Sequence, residues 1–249
     1  MITKTILPII ISSLVQVSST LAAEPEAKKI LFVLTSHAEK GNTGEPTGFY
    51  LAEVTHPHAV LAKAGFKIDY VSPKGGKPPM DGKDLTDPIN KAFLDDPANV
   101  KAIENTLRPS EVKASDYTAI FYSGGHGTMW DFPGDVTLAR LGGEIYDQGG
   151  IVAAVCHGPA GLVNIKLASG KFLVDGKDVS AFTNEEEIAV KMDKIVPFLL
   201  VDKLESLGAK HHAAGNFEKK VIVSERLITG QNPASATGVG EEMVKLLMK

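Results

Sequence analysis

Ile151-Val152-Ala153-Ala154-Val155-Cys156-His157-Gly158-Pro159 is the stretch from which the fold is read. Five apolar residues run into the only cysteine of the chain, and Gly149-Gly150 precedes them. A short, β-branched run of this kind predicts a strand buried on both faces, as in a parallel sheet. Behind the cysteine, Pro159-Ala160-Gly161-Leu162-Val163 suits a helix start with proline in its first turn. Cys156 therefore falls at a strand-to-helix turn. In α/β folds such a turn lifts a nucleophile out of the sheet, near the positive end of the helix dipole. That field favours the thiolate, which is the reactive form. The same residues fit a buried core cysteine equally well, a common fate for this residue type.

Outward from this stretch, strand and helix signals alternate. Ile30 to Ser36 reads as a first buried strand, followed by a Gly-, Asn- and Pro-containing loop from His37 to Thr47. Gly48 to Gly65 reads as a helix, with Pro57 predicting a kink or break near Thr55-His56. Phe66 to Ser72 is a second strand, and residues 73–97 form a Gly-, Pro- and Asp-rich excursion of a length that is often functional. Val100 to Leu107, Val136 to Gln148 and Val196 to Leu207 read as helices, and Thr118 to Tyr122 as a strand. Val179 to Phe182 and the pair Val221-Ile222-Val223 and Leu227-Ile228-Thr229 carry further strand signals. Pro233 to Met248 closes the chain as a helix, with Asn232 as its N-cap. The alternation predicts a mostly parallel sheet covered by helices on both faces.

The first residues read differently. Lys4, an apolar run from Ile6 to Val17 and small residues up to Ala22-Ala23 follow the order of a secretory signal. The run is shorter than the ~20 residues a spanning helix needs, although an uncleaved anchor is the alternative. Residues 1–23 are thus read as a signal peptide cut after Ala22 or Ala23, and residues 24–249 as one α/β domain. Export to a periplasmic or extracellular space follows, with no membrane association after signal removal. A single cysteine then leaves a free thiol in an oxidising compartment, which invites a functional explanation. The net charge of −4 and the lack of a basic run argue against a nucleic-acid surface.

In open α/β sheets, sites lie at the carboxyl ends of the strands. That rule gathers three stretches. Tyr122-Ser123-Gly124-Gly125-His126-Gly127 follows a strand, and its glycines allow backbone N–H groups to face a ligand oxygen. A plain Gly-rich turn is the competing reading, and the spacing of a dinucleotide fingerprint is missing. Cys156-His157 is the second stretch, where adjacency alone does not make the histidine the base of the thiol. Asn184-Glu185-Glu186-Glu187 is the third. One of its carboxylates could orient His157 as the acid of a triad. On the residues alone, an asparagine capping box of Asn184 with Glu187 is the preferred reading.

Taken in order, Gly124-Gly125-His126-Gly127-Thr128-Met129-Trp130-Asp131-Phe132-Pro133, Ala153 to Pro159, Phe182 to Glu187 and Thr229-Gly230-Gln231-Asn232-Pro233-Ala234-Ser235 resemble the ThiJ/PfpI superfamily. This group lies within the class I glutamine amidotransferase-like fold, and the similar branch contains glyoxalase III and the Hsp31-type chaperones. The resemblance covers nearly all of the chain from Ile30 onward. It implies a flavodoxin-like three-layer sandwich with Cys156 at a nucleophile elbow. It also implies a glutamate on the first helix, here Glu53, whose carboxyl group meets the cysteine sulfur. Without the resemblance, Glu53 reads as a solvated helix residue. The partner of His157 aligns with Glu187, with Glu185 as a rival. Gly124, Gly125, His126 and Trp130 are implied to meet substrate.

The implied activity is that of a glutathione-independent glyoxalase of D-lactate dehydratase type, with protein deglycase activity beside it. Cys156 would add to the aldehyde of a 2-oxoaldehyde such as methylglyoxal, and His157 or Glu53 would move the proton. No metal or organic cofactor is expected, and His56, His58, His211 and His212 are read as structural. A stress-related chaperone, or a cysteine amidase or peptidase, are the alternatives. A homodimer is implied only by relatives of this kind.

Overall fold

The computed structural model describes residues 1–2 and 29–249, so the signal segment read over residues 1–23 lies outside the described residues except for Met1 and Ile2. The strands are β1 (Lys29–Val33), β2 (Phe49–Tyr50), β3 (Lys67–Val71), β4 (Met80–Asp81), β5 (Tyr117–Tyr122), β6 (Ile151–Val155), β7 (Asp178–Val179), β8 (Lys210–His211), β9 (Val221–Ser224) and β10 (Leu227–Gly230). The helices are α1 (Ala52–Lys63), α2 (Pro88–Asp95), α3 (Pro97–Glu104), α4 (Thr128–Asp131), α5 (Val136–Asp147), α6 (Asn184–Ala189), α7 (Leu200–Ser206) and α8 (Ala236–Leu247). Six strands form the central sheet in the order β3-β1-β5-β6-β10-β9. All neighbours are parallel except β9, which runs antiparallel to β10 at one edge.

The alternation of side chains along a strand builds the two faces. In β1, Ile30 and Phe32 join a core with Val54 and Leu61 of α1 and Val239 and Met243 of α8. Leu31 and Val33 point the other way, into a core with Leu138, Leu141 and Ile145 of α5. The result is the expected flavodoxin-like three-layer arrangement. All five residues of β6 are buried, as a central parallel strand requires. Each of its larger side chains contributes about 1.5–3 kcal/mol by leaving water. Among the described residues no helix is long and apolar enough to cross a membrane.

Four local expectations are corrected. The first helix begins at Ala52, because Phe49–Tyr50 pairs with Met80–Asp81 from the irregular excursion as a short parallel ladder. It then runs unbroken through Pro57 to Lys63. Cys156 is not followed by an α-helix. Gly158–Leu162 forms a 3-10 turn instead. Its glycines are close-approach positions: a Cβ at Gly158 would overlap the Tyr122 carbonyl and one at Gly161 would overlap the Tyr122 ring. Asn232 precedes a 3-10 turn (Pro233–Ser235) leading into α8, but its side chain does not cap it.

Gly158 therefore lets the nucleophile turn pass over the end of β5. A methyl group there meets backbone, which cannot swing aside. Gly158→Ala is expected to cost about 2–3 kcal/mol, lowering the melting temperature by roughly 5–10 °C. Thermal unfolding followed by circular dichroism checks this, and an unchanged transition would contradict the packing described.

Candidate active site

The turn after β6 forces Cys156 into the left-handed region, at φ +61°. A non-glycine residue there costs about 1–3 kcal/mol unless its surroundings hold it. Two backbone bonds do so. The Cys156 N–H donates to Gly230 O at 2.9 Å, and the Cys156 carbonyl accepts from Phe182 N–H at 3.0 Å. The elbow is thus clamped between β10 and the segment before α6. The cysteine is buried, and its thiol forms part of a cavity of about 240 Å³ at the carboxyl end of the sheet.

Glu53, the second residue of α1, reaches the same point from the other side and is fully buried. The Cys156 thiol and the Gly124 N–H are the groups within its reach, and neither meets the carboxyl oxygens at good hydrogen-bond geometry. Burial dominates and pushes the Glu53 carboxyl up to about 8. Burial, then the neighbouring Glu53 charge, also pushes the thiol well up, while the His157 N–H works in the opposite direction. Two negative charges cannot share so dry a site, so Glu53 and Cys156 carry at most one between them near neutrality. The shortness of the 3-10 turn replaces the long helix dipole expected behind the cysteine. The stabilisation of a thiolate here falls to the His157 N–H and to a protonated Glu53.

On the far side of the sulfur, His157 Nδ1 lies 3.3 Å from Cys156 Sγ. His157 Nε2–H donates to Glu187 Oε2 at 2.8 Å, and His126 Nε2–H donates to Glu187 Oε1 at 2.8 Å. Burial raises the Glu187 carboxyl, but the two imidazole donors outweigh it and hold it down at about 2. Burial, with His126 nearby, pushes His157 down to about 4. An ionised Glu187 thus fixes the proton on Nε2 of a neutral His157, leaving Nδ1 as an acceptor facing the thiol. That is the arrangement of a general base.

Glu187 is free for this task because the helix is capped one residue earlier than expected. Thr183 is the N-cap, and Glu186, not Glu187, completes the capping box through its bond from the Thr183 N–H at 2.9 Å. Glu186 also accepts from Phe217 N–H at 2.7 Å and from Asn232 Nδ2–H at 2.8 Å. The rival Glu185 is exposed.

The expected substrate contacts divide. Gly125 and His126 line the cavity. Gly124 does not: it packs behind the sulfur, where a Cβ would overlap Glu53 and sit 2.9 Å from Cys156 Cβ. Trp130 is elsewhere, stacked on His37 with ring centroids 5.0 Å apart, beside the Asp131 carboxylate that accepts from Thr35 and Ser36. It braces the loop after β1. Tyr50, Asp81, Phe182, Val190, Phe217 and Pro233 are cavity walls that sequence reasoning did not single out for this site. Phe182 and Pro233 lay inside the motifs quoted for the resemblance, and Tyr50 lay in the stretch from Gly48 to Glu53 read as helix.

His126, His157 and Glu187 bring three metal-ligand atoms within 4.8 Å of one another. Both Glu187 oxygens already accept imidazole N–H groups, so a metal would have to displace the two protons that set the tautomers. His56, His58, His211 and His212 each pair with a separate protein group, respectively Asp87, Tyr70, Ala181 O and Asp178.

The chain matches the model of the DJ-1/PfpI family over residues 45–246. It is 38% identical over 227 residues to the glutathione-independent glyoxalase HSP31 of Saccharomyces cerevisiae, covering 84% of this chain and 93% of that protein. Glyoxalase 3 of Candida albicans is 30% identical over 234 residues, covering 87% and 97%. Among solved structures, the Rapid Encystment Protein of Francisella tularensis superposes with TM-score 0.86 at 37% identity, over 89% of this chain and all of that one. The glyoxalase III structure from Candida albicans gives TM-score 0.80 at 31% identity, over 88% and 96%.

The Glu53 carboxyl has a pH signature. Its value rises from 4.5 to about 8 on folding, so between these values the folded state holds a proton that the unfolded chain has lost. Stability therefore falls as pH rises through that window. Glu53→Gln removes this slope, while Cys156 titrates in both proteins. Relative to wild type, the variant is expected to gain thermal stability from pH 5 to pH 8.5, as read by melting temperatures across that range (about the window above). Parallel pH profiles would show that Glu53 is ionised in the fold.

Proposed function

This chain belongs to the DJ-1/PfpI family, and on that footing we propose that it is a glutathione-independent glyoxalase of D-lactate dehydratase type. It converts methylglyoxal and related small 2-oxoaldehydes into 2-hydroxy acids. The observation that carries the reading is the convergence of Cys156, the His157–Glu187 pair and the buried Glu53 on one cavity. The likeness to named glyoxalases over most of the chain supports it.

His157 Nδ1 takes the thiol proton, and the sulfur adds to the aldehyde carbon to form a hemithioacetal. The chain's own thiol thus takes the place glutathione would fill. The Gly125 N–H, which donates to no backbone carbonyl among the described residues, and the His157 N–H face the developing oxyanion. His157 returns the thiol proton to that oxygen and is neutral again, and a proton then passes from the former aldehyde carbon to its neighbour through His157 or Glu53. Water hydrolyses the resulting thioester, and methylglyoxal leaves as D-lactate. The same cysteine accounts for a deglycase activity on adducts of 2-oxoaldehydes with protein.

We also propose that the chain is exported, on the order of Lys4, the apolar run and Ala22-Ala23. Mass spectrometry of protein from its native source is expected to find a chain beginning at Ala23 or Glu24. An intact Met1 in a soluble cytoplasmic fraction would contradict export.

Cys156→Ala separates the enzyme from a chaperone. The change removes the only thiol and is expected to alter stability by about 1 kcal/mol or less. The variant should fold, keep any ability to hold back aggregation of a client protein, and yield no lactate above background. Purified protein, methylglyoxal and no glutathione are the assay. Turnover by the variant at the wild-type rate would end the glyoxalase reading. Release of ammonia from glutamine by wild type alone would make the elbow that of an amidase.

A further inference from the structure

A 2-oxoaldehyde has two oxygens. The oxyanion on its first carbon has the Gly125 and His157 N–H groups. The second, the ketone oxygen, needs a donor of its own, because it gains charge when the proton leaves the first carbon.

The cavity offers few candidates. The Nε2–H groups of His157 and His126 both donate to Glu187. His157 Nδ1 faces the sulfur. Glu53 is held against Cys156. An aspartate only accepts when ionised, and Asp81 Oδ1 already takes the Gly82 N–H at 2.7 Å. Tyr50 lines the cavity, and its hydroxyl is hydrogen-bonded to no group among the described residues.

Tyr50 is also held in place. Its backbone N–H donates to Gly124 O at 3.1 Å, on the strand end that carries the glycine turn. The β2–β4 ladder sets it opposite Asp81. Its ring lies on Gly82, at φ +62°, where any Cβ would overlap the ring. A glycine is needed there on both counts, since its left-handed backbone and its bare face are used together. Burial, then the acidic Glu53 and Cys156 close by, push the phenol up. It stays protonated as a donor.

We propose that Tyr50 is a further catalytic residue, donating its hydroxyl hydrogen bond to the second carbonyl oxygen of the bound 2-oxoaldehyde. This role rests on the glyoxalase reading. Once sulfur is bonded to the first carbon, the C–H bond there breaks and its electron pair forms the carbon–carbon double bond. The pair of the ketone π bond moves onto the second oxygen, where the Tyr50 O–H meets it. The carbon-bound proton is then delivered to the second carbon, and the first oxygen's proton ends on the second oxygen. Tyr50 keeps its own proton, and the step is an isomerisation that needs no oxidant or reductant.

Tyr50→Phe tests the role, because it deletes one oxygen and keeps the ring on Gly82. The variant is expected to lose about 100-fold in kcat for methylglyoxal, with a much smaller change in KM. Its melting temperature and the rate at which iodoacetamide alkylates Cys156 should match wild type. Propanal, which has no second carbonyl, should protect Cys156 from alkylation equally in both proteins. Turnover within about twofold of wild type would overturn the role. So would a loss of turnover accompanied by slowed alkylation or weakened protection by propanal, since Tyr50 would then act on the thiol. If wild type itself leaves methylglyoxal unchanged, the glyoxalase reading falls and this role with it.

Discussion

The burial of the Glu53 carboxyl against the Cys156 sulfur is the constraint on which the rest of the site depends. A carboxyl group removed from water and given no good hydrogen-bond partner remains neutral, and Glu53 is pushed up to about 8. A neutral carboxyl can donate to a neighbouring thiolate, whereas an ionised one would repel it. The fold spends much of its architecture on this contact. Gly124 must lack a side chain, because Glu53 and Cys156 occupy that space. Cys156 must adopt φ +61°, and the bonds to Gly230 and Phe182 keep it there.

The opposite wall uses two adjacent glutamates for two tasks. Glu186 is buried and accepts three N–H donors from Thr183, Phe217 and Asn232. It ties the start of α6 to the segments around Phe217 and Asn232. Glu187 is consequently turned toward the two imidazoles and held ionised. Neutral His157 beside a neutral Glu53 leaves the sulfur between an acceptor and a donor, so the thiol proton can pass to His157, whose imidazolium is paired with ionised Glu187, while Glu53 stabilises the thiolate left behind.

Much of the architecture was legible in the residues. The run Ile151 to Val155 could only suit a strand buried on both faces, and the cysteine had to follow it. The rest turned on contacts distant in sequence. Glu53 is an ordinary helix glutamate until β5 and β6 close over it, so only the resemblance pointed to it. The acidic run misled by one residue: Thr183 with Glu186 and Asn184 with Glu187 both match a capping box, and Thr183 wins because Glu186 has further partners to satisfy. Tyr50 was absorbed into a helix reading from Gly48. It belongs to a two-residue strand whose partner, Met80–Asp81, lies in the Gly- and Pro-rich excursion. The helix expected after Pro159 gave way to a 3-10 turn because Gly158 and Gly161 press against Tyr122.

The central claim is that the sulfur of Cys156 bonds covalently to substrate in the course of turnover. Acid quenching of the wild-type protein during reaction with methylglyoxal, followed by peptide mass spectrometry, tests it most directly. The Cys156 peptide should carry the mass of one added methylglyoxal while substrate lasts, and lose it once substrate is exhausted. Lactate formation with that peptide unmodified at every time point would contradict the account.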